Sequence, residues 1–191
     1  MITADIAPDG RDDITIEASL IEIDGIGDVL GRAGPTAVWT ANSLTSSAIM
    51  EFDVADAETF DALGLWDDIV LHEMIHCLGL GTLWEYQGLV DPIVNDNGTN
   101  KPIDDFIEGY EYNGAKANSY SDQLYGEPVA VIEDSGGAGT AGGHWHEDIY
   151  TNELMTGYID NMNELSKMSY GALDDLGYQI DYTVPPDFLL G

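Results

Sequence analysis

The pentapeptide His72-Glu73-Met74-Ile75-His76 constrains this chain more than any other feature. It lies in a run containing Ile69, Val70, Leu71, Met74, Ile75 and Leu78, with Asp67 in front as an N-cap and Gly79 and Gly81 behind as stop signals. That pattern predicts a helix, apolar on every side and therefore buried. Residues four apart on a helix share a face, so the two imidazoles can grip one zinc ion, with Glu73 beside the water at that ion. Two histidines and a glutamate inside an apolar helix are costly without compensation, and a metal supplies partners for both rings. The alternative is a chance pentapeptide whose histidines are satisfied by core hydrogen bonds.

Catalytic zinc takes three protein ligands plus water, so a third must come from elsewhere. In the extended pattern HExxHxxGxxH, Gly79 is in place but the last position holds Thr82. His144 and His146 are the remaining histidines, in GGHWHE after the glycine-rich run 136–143, where glycines permit a close backbone approach. Alternation in an extended segment points both rings the same way. A carboxylate ligand is the other option, with Glu108 and Glu111 as candidates that nothing in the sequence separates.

Three ordered blocks, HEMIHCLGLGTLW, GGAGTAGGHWHEDIYTNELMTG and LSKMSYGALDDLGYQIDY, resemble the leishmanolysin family of metzincin peptidases over roughly residues 48–182. The resemblance implies that an insertion separates Gly79 from the third zinc ligand. It also implies that His144 is that ligand and that Met155 is the Met-turn methionine beneath the metal. His146 is left as a residue behind the metal ligands or on the substrate side, and Tyr158, three residues after Met155, reads as surface packing, with steadying of an oxyanion as the alternative. The chain is shorter than the protozoan enzymes and lacks their cysteines, and in this it resembles shorter prokaryotic relatives. Secretion is implied by the resemblance alone, since the N-terminal stretch around Asp5, Asp9, Asp12 and Asp13 has neither the basic nor the apolar part of a signal peptide.

Composition sets the surroundings. Cys77 is the single cysteine, which excludes an intrachain disulfide and a four-cysteine zinc site, and its place on the helix next to His76 predicts a buried, inert thiol. The 36 acidic residues against 5 Lys and Arg give a net charge of -31, which repels nucleic acid. Such self-repulsion is relieved by concentrated salt, so the charge predicts a halophilic protein. Bound Ca2+ or other cations on an acidic surface are the second explanation. No run is long enough to span a membrane.

The remaining elements are read from local pattern. Ile14–Ile23, Thr36–Thr40 and Ala48–Val54 are candidate strands, with a turn at Asp24-Gly25, and a short helix opens at Asp56-Ala57-Glu58 and ends near Gly64. Phe106–Asn118 is a candidate helix, and Asn95–Asn100 a turn rather than a cation loop. Ser166–Leu176 reads as a helix with Ser166 as N-cap and Gly177 as C-cap, followed by an extended or strand segment at Tyr178–Tyr182.

Together these predict a single catalytic domain over 1–191 with an α+β, metzincin-like fold. An upper twisted sheet with the active-site helix occupies about 1–81, an insertion about 84–135, and a smaller lower part about 136–191. The expected function is a zinc-dependent endopeptidase acting on peptide or protein substrates, with His72, His76 and His144 on the metal and Glu73 as general base to the water. The Ala48–Val54 strand is the expected substrate-aligning edge. The competing reading is a non-catalytic zinc-containing binding or adhesion module with a closed site, His146 being its fourth ligand.

Overall fold

The computed structural model describes residues 13–95 and 106–183. Among these, the elements run β1 (Thr15–Ile21), β2 (Gly31–Val38), β3 (Thr45–Asp53), α1 (Val54–Leu63), α2 (Trp66–Cys77), α3 (Trp84–Gln87), β4 (Val90–Asn95), β5 (Phe106–Tyr112), α4 (Ala115–Tyr125), α5 (Glu147–Tyr150) and α6 (Lys167–Leu176). This mixed α and β content agrees with the expected α+β class.

The first sheet has the order β1-β3-β2, with β3 parallel to β1 and antiparallel to β2. In β3 the period-two pattern buries Ala48, Met50 and Phe52 on one face, while Ile49 looks outward. The buried face packs on Ile69 and Cys77 of α2, forming one of two apolar clusters. The Ala48–Val54 segment is therefore the interior of the sheet, paired on both sides, and not its edge. The edge beside α2 is β2, of which the Thr36–Thr40 candidate covers only the end, because Gly31, Gly34 and Pro35 weaken the strand signal before it.

Asp53 closes β3 and caps α1. Its carboxylate accepts the N–H of Ala55 at 2.9 Å and, across the β1–β2 connection, those of Asp24 at 2.8 Å and Gly25 at 2.9 Å. The helix thus begins earlier than Asp56, and it stops at Gly64, where φ is 74°. In α2 the N-cap is Leu65 without a side-chain bond, and Asp67 lies in the first turn, where an acid favours the helix dipole. This helix is not apolar and buried all round: Met74 is 43% exposed.

The second cluster is larger. Trp84, Tyr112 and Trp145 pack with ring centroids 4.7–5.2 Å apart, together with Ile132, Met155, Met168 and Leu173. Phe106–Asn118 forms β5, a turn at Asn113-Gly114 and the start of α4, instead of one helix. Tyr110 and Tyr112 pair with Pro92 and Val90 of β4, a ladder that helix-based reading of residues 106–118 could not anticipate. The Asn95–Asn100 turn lies, after Asn95, outside the described residues.

The terminal helix has the expected caps: Ser166 accepts the N–H of Met168, and Gly177 has φ 110°. It docks on α4, where Gly171 allows the Ala117 backbone to approach, and Asp175 accepts the N–H groups of Lys116 and Ala117 in place of a local cap. Tyr178–Tyr182 is not a strand. Its aromatic ends instead bond to Leu78 O and the Asp174 carboxylate, both at 2.8 Å.

Candidate metal centre

The helix α2 puts His72 and His76 on one face, and the turn that follows fixes the second ring. Gly79 (φ 107°) and Gly81 (φ 73°) reverse the chain so that Leu80 O accepts the Nδ1–H of His76 at 2.8 Å. A side chain at Gly81 would run into the carbonyl of Gly143, which is the close approach the glycine-rich run permits. Thr82, in place of a local histidine, donates its hydroxyl to His76 O at 2.8 Å and finishes the helix.

His144 arrives from the other side on a short antiparallel ribbon. The Glu133 N–H donates to His144 O at 2.9 Å and the Trp145 N–H to Met155 O at 3.0 Å, with the Trp145 ring fully buried beneath. The His144 Nδ1–H bonds to Thr140 O at 3.0 Å. The turn at 153–156 is held from within by Glu153, which is 1% exposed. Its carboxylate accepts from Met155 N, Ser166 N, Ser166 Oγ and Ser169 Oγ. That turn presents Leu154 O, which accepts the Nδ1–H of His72 at 2.7 Å, and it buries Met155.

A carbonyl only accepts, so each Nδ1 must carry the proton and each Nε2 must present a lone pair. The three Nε2 atoms lie 2.9 Å (His72 to His76), 2.9 Å (His76 to His144) and 3.2 Å (His72 to His144) apart. Three lone pairs at such separations repel each other unless a cation lies among them. Four-coordinate zinc with nitrogen at about 2.05 Å needs ligand atoms about 3.3 Å apart, and each side of the triangle comes within about 0.4 Å of that separation. Burial lowers the pKa of His72 to about 3, reinforced by His144, and holds that of His76 well below its ordinary value, reinforced by His72 and His144, and burial likewise lowers His144. All three rings are neutral at pH 7, the state a metal requires.

Glu73 is 6% exposed, its Oε2 has no hydrogen-bond partner, and burial raises its pKa to about 8. It lies against Gly31 of β2, where a Cβ would be 2.8 Å from Oε1. The other sequence candidates do not join the triangle. His146 groups with Glu133 and Asp134, contrary to simple alternation from His144, because the chain enters α5 at that residue. Glu108 and Glu111 lie on β5, and Tyr158 is 50% exposed. Cys77 is fully buried against Ile49 O, with its thiol pushed up to about 11 by burial and by Glu73.

What sequence reasoning missed are the three carbonyls, at Leu80, Thr140 and Leu154, and the contact of Gly31 with Glu73. Backbone oxygens carry no residue signature, and only the glycines at 79 and 81 hint that the chain doubles back there.

The family model for leishmanolysin matches residues 38–186. The chain belongs to the leishmanolysin family. Among curated proteins, a leishmanolysin-like peptidase of Drosophila pseudoobscura pseudoobscura is 33% identical over 92 residues, which is 48% of this chain and 13% of that protein. The matched family region contains all three converging histidines, Glu73 and the 153–156 turn.

Proposed function

We propose that this leishmanolysin-family chain is a zinc-dependent endopeptidase in which His72, His76 and His144 hold one Zn2+ and Glu73 is the general base. The observation that carries this reading is the convergence of three Nε2 atoms, each with its Nδ1 tied to a carbonyl, on the helix that also carries the buried Glu73, whose Oε2 has no hydrogen-bond partner. Bound zinc supplies Lewis-acid polarisation of the scissile carbonyl and acidifies water. Glu73 removes the proton from the attacking water and hands it to the leaving amine. The three carbonyls hold the rings in the tautomer that faces the ion.

The aligning edge for an extended peptide is β2, whose Gly31 touches Glu73, rather than β3. In this reading the cleft separates an upper part with the first sheet and α2 from a lower part carrying His144, Met155 and α6. Family membership supports an extracellular setting, and among the described residues no helix is long and apolar enough to cross a membrane.

The competing reading, a closed zinc site in a binding module, needs a fourth protein ligand. Among the described residues the histidine group has three members and His146 belongs to another, which favours the open site. The deciding experiment follows cleavage of a labelled unfolded protein in molar salt by the wild type and by Glu73→Ala, each with its zinc content measured. Activity lost while zinc is retained supports the peptidase. Equal cleavage by both zinc-loaded proteins refutes it.

A further inference from the structure

The ribbon that delivers His144 carries a second group of ligating side chains. Along it Glu133 N–H donates to His144 O at 2.9 Å, His146 N–H donates to Val131 O at 3.0 Å, and Ile132 bridges Trp145. At its end one carboxylate oxygen each of Glu133 and Asp134 and one ring nitrogen of His146 lie within 4.8 Å of one another. None of the three belongs to the histidine triangle.

Two observations single out this corner. Glu133 is 2% exposed. Its carboxylate accepts hydrogen bonds from Ser135 Oγ at 2.6 Å, Ser135 N at 3.0 Å and Glu147 N at 3.2 Å, and the Lys and Arg ion pairs among the described residues, Arg32 with Glu51 and Lys116 with Asp174, do not include it. The second observation is that Nδ1 of His146 is buried with no hydrogen-bond partner, as is Oε2 of the adjoining Glu147. An imidazole nitrogen left unpaired in the interior costs free energy that a bound cation would recover.

We propose that Glu133, Asp134 and His146 form a second cation site, separate from the histidine triangle, for a divalent transition-metal ion. One imidazole with two carboxylates suits Zn2+ or Mn2+, whereas Ca2+ and Mg2+ take oxygen ligands. Asp134 is exposed and gives the ion its way in. An ion there ties residues 133–134 to His146, and so braces the ribbon on which His144 is mounted.

Zinc counting tests this without reference to peptidase activity. The metal-stripped full chain is loaded with Zn2+ in 1 M NaCl, which suppresses diffuse binding to the acidic surface, and bound ions are counted after gel filtration. Wild type is expected to keep two ions and His146→Gln one. The double variant His72→Gln/His76→Gln is expected to keep the other one, so loss of either site is told apart. Asp134→Asn, an exposed change that leaves the fold intact, is expected to weaken the second ion at least tenfold. A single ion in the wild type, or two ions held with unchanged affinity in either His146→Gln or Asp134→Asn, overturns the assignment.

Discussion

Gly31→Ala separates the catalytic role proposed for Glu73 from the stability of the fold. The new Cβ would lie 2.8 Å from Oε1, 3.0 Å from Cγ and 3.1 Å from Cδ of Glu73, and ordinary contact begins at 3.4 Å. The carboxyl group must therefore retreat by about 0.6 Å, the difference between 3.4 and 2.8 Å. A misplacement of about 1 Å costs on the order of 100-fold in rate, so 0.6 Å scales to about 15-fold, or about 1.6 kcal/mol of barrier. The backbone of Gly31 is not left-handed, so alanine fits its conformation and restricts the unfolded chain, which stabilises by about 0.4–1 kcal/mol. The expected result is kcat lower by about an order of magnitude with undiminished Tm and unchanged zinc content. The assay pairs peptide hydrolysis with thermal melting and metal analysis on the same preparation. Wild-type kcat in a folded, zinc-loaded variant would show that Glu73 does not act from this position. A large fall in Tm would show instead that the sheet yields and the carboxyl group does not.

Three further outcomes follow from the same contacts. The N–H groups of Ala55, Asp24 and Gly25 lower the pKa of Asp53 to about 2, against burial, from a reference of 3.8. A depressed folded pKa means the contribution is present above about pH 4 and lost as pH falls through about 2, so Tm declines across that window and Asp53→Asn flattens the decline. Glu153→Gln, read by calorimetry, lowers stability by about 1–3 kcal/mol, because a buried acceptor of four hydrogen bonds gains an amide that donates. With a net charge of -31, raising NaCl from about 0.1 M to 1 M shortens the screening length from about 10 Å to about 3 Å and raises Tm; a flat or falling Tm removes self-repulsion as the reason for salt dependence.

The parts of this molecule legible in sequence are those in which one local pattern decides. The helix at α6 is bounded by Ser166 and Gly177, whose capping roles are local, and α2 follows from apolar spacing together with the HExxH residues. The parts that were not legible depend on pairing at a distance. Whether Ala48–Val54 is edge or centre depends on β1 and β2, and Phe106–Tyr112 becomes a strand because Val90–Asn95 lies beside it. In the candidate site the pair His72 and His76 is readable from a spacing of four. The place of His144 depended on resemblance, since the residues alone left His146 and two glutamates as alternatives.

The reason His144 and not His146 turns toward α2 lies in the backbone. A ribbon register in which Glu133 N–H meets His144 O and His146 N–H meets Val131 O sends the chain into α5 directly after His146, so the two rings serve different neighbourhoods. The same register sets Thr140 O under His144, while the glycine turn sets Leu80 O under His76 and the Glu153-pinned turn sets Leu154 O under His72. Three imidazoles from two distant segments are thus oriented by three carbonyls from three separate turns. Oriented carbonyls also set the tautomers, and the tautomers leave three lone pairs 2.9–3.2 Å apart. That arrangement is unfavourable by itself and favourable around a cation, so under the proposed function the packing that makes Gly81 touch Gly143 and Glu153 hold Met155 prepositions three nitrogens for an ion.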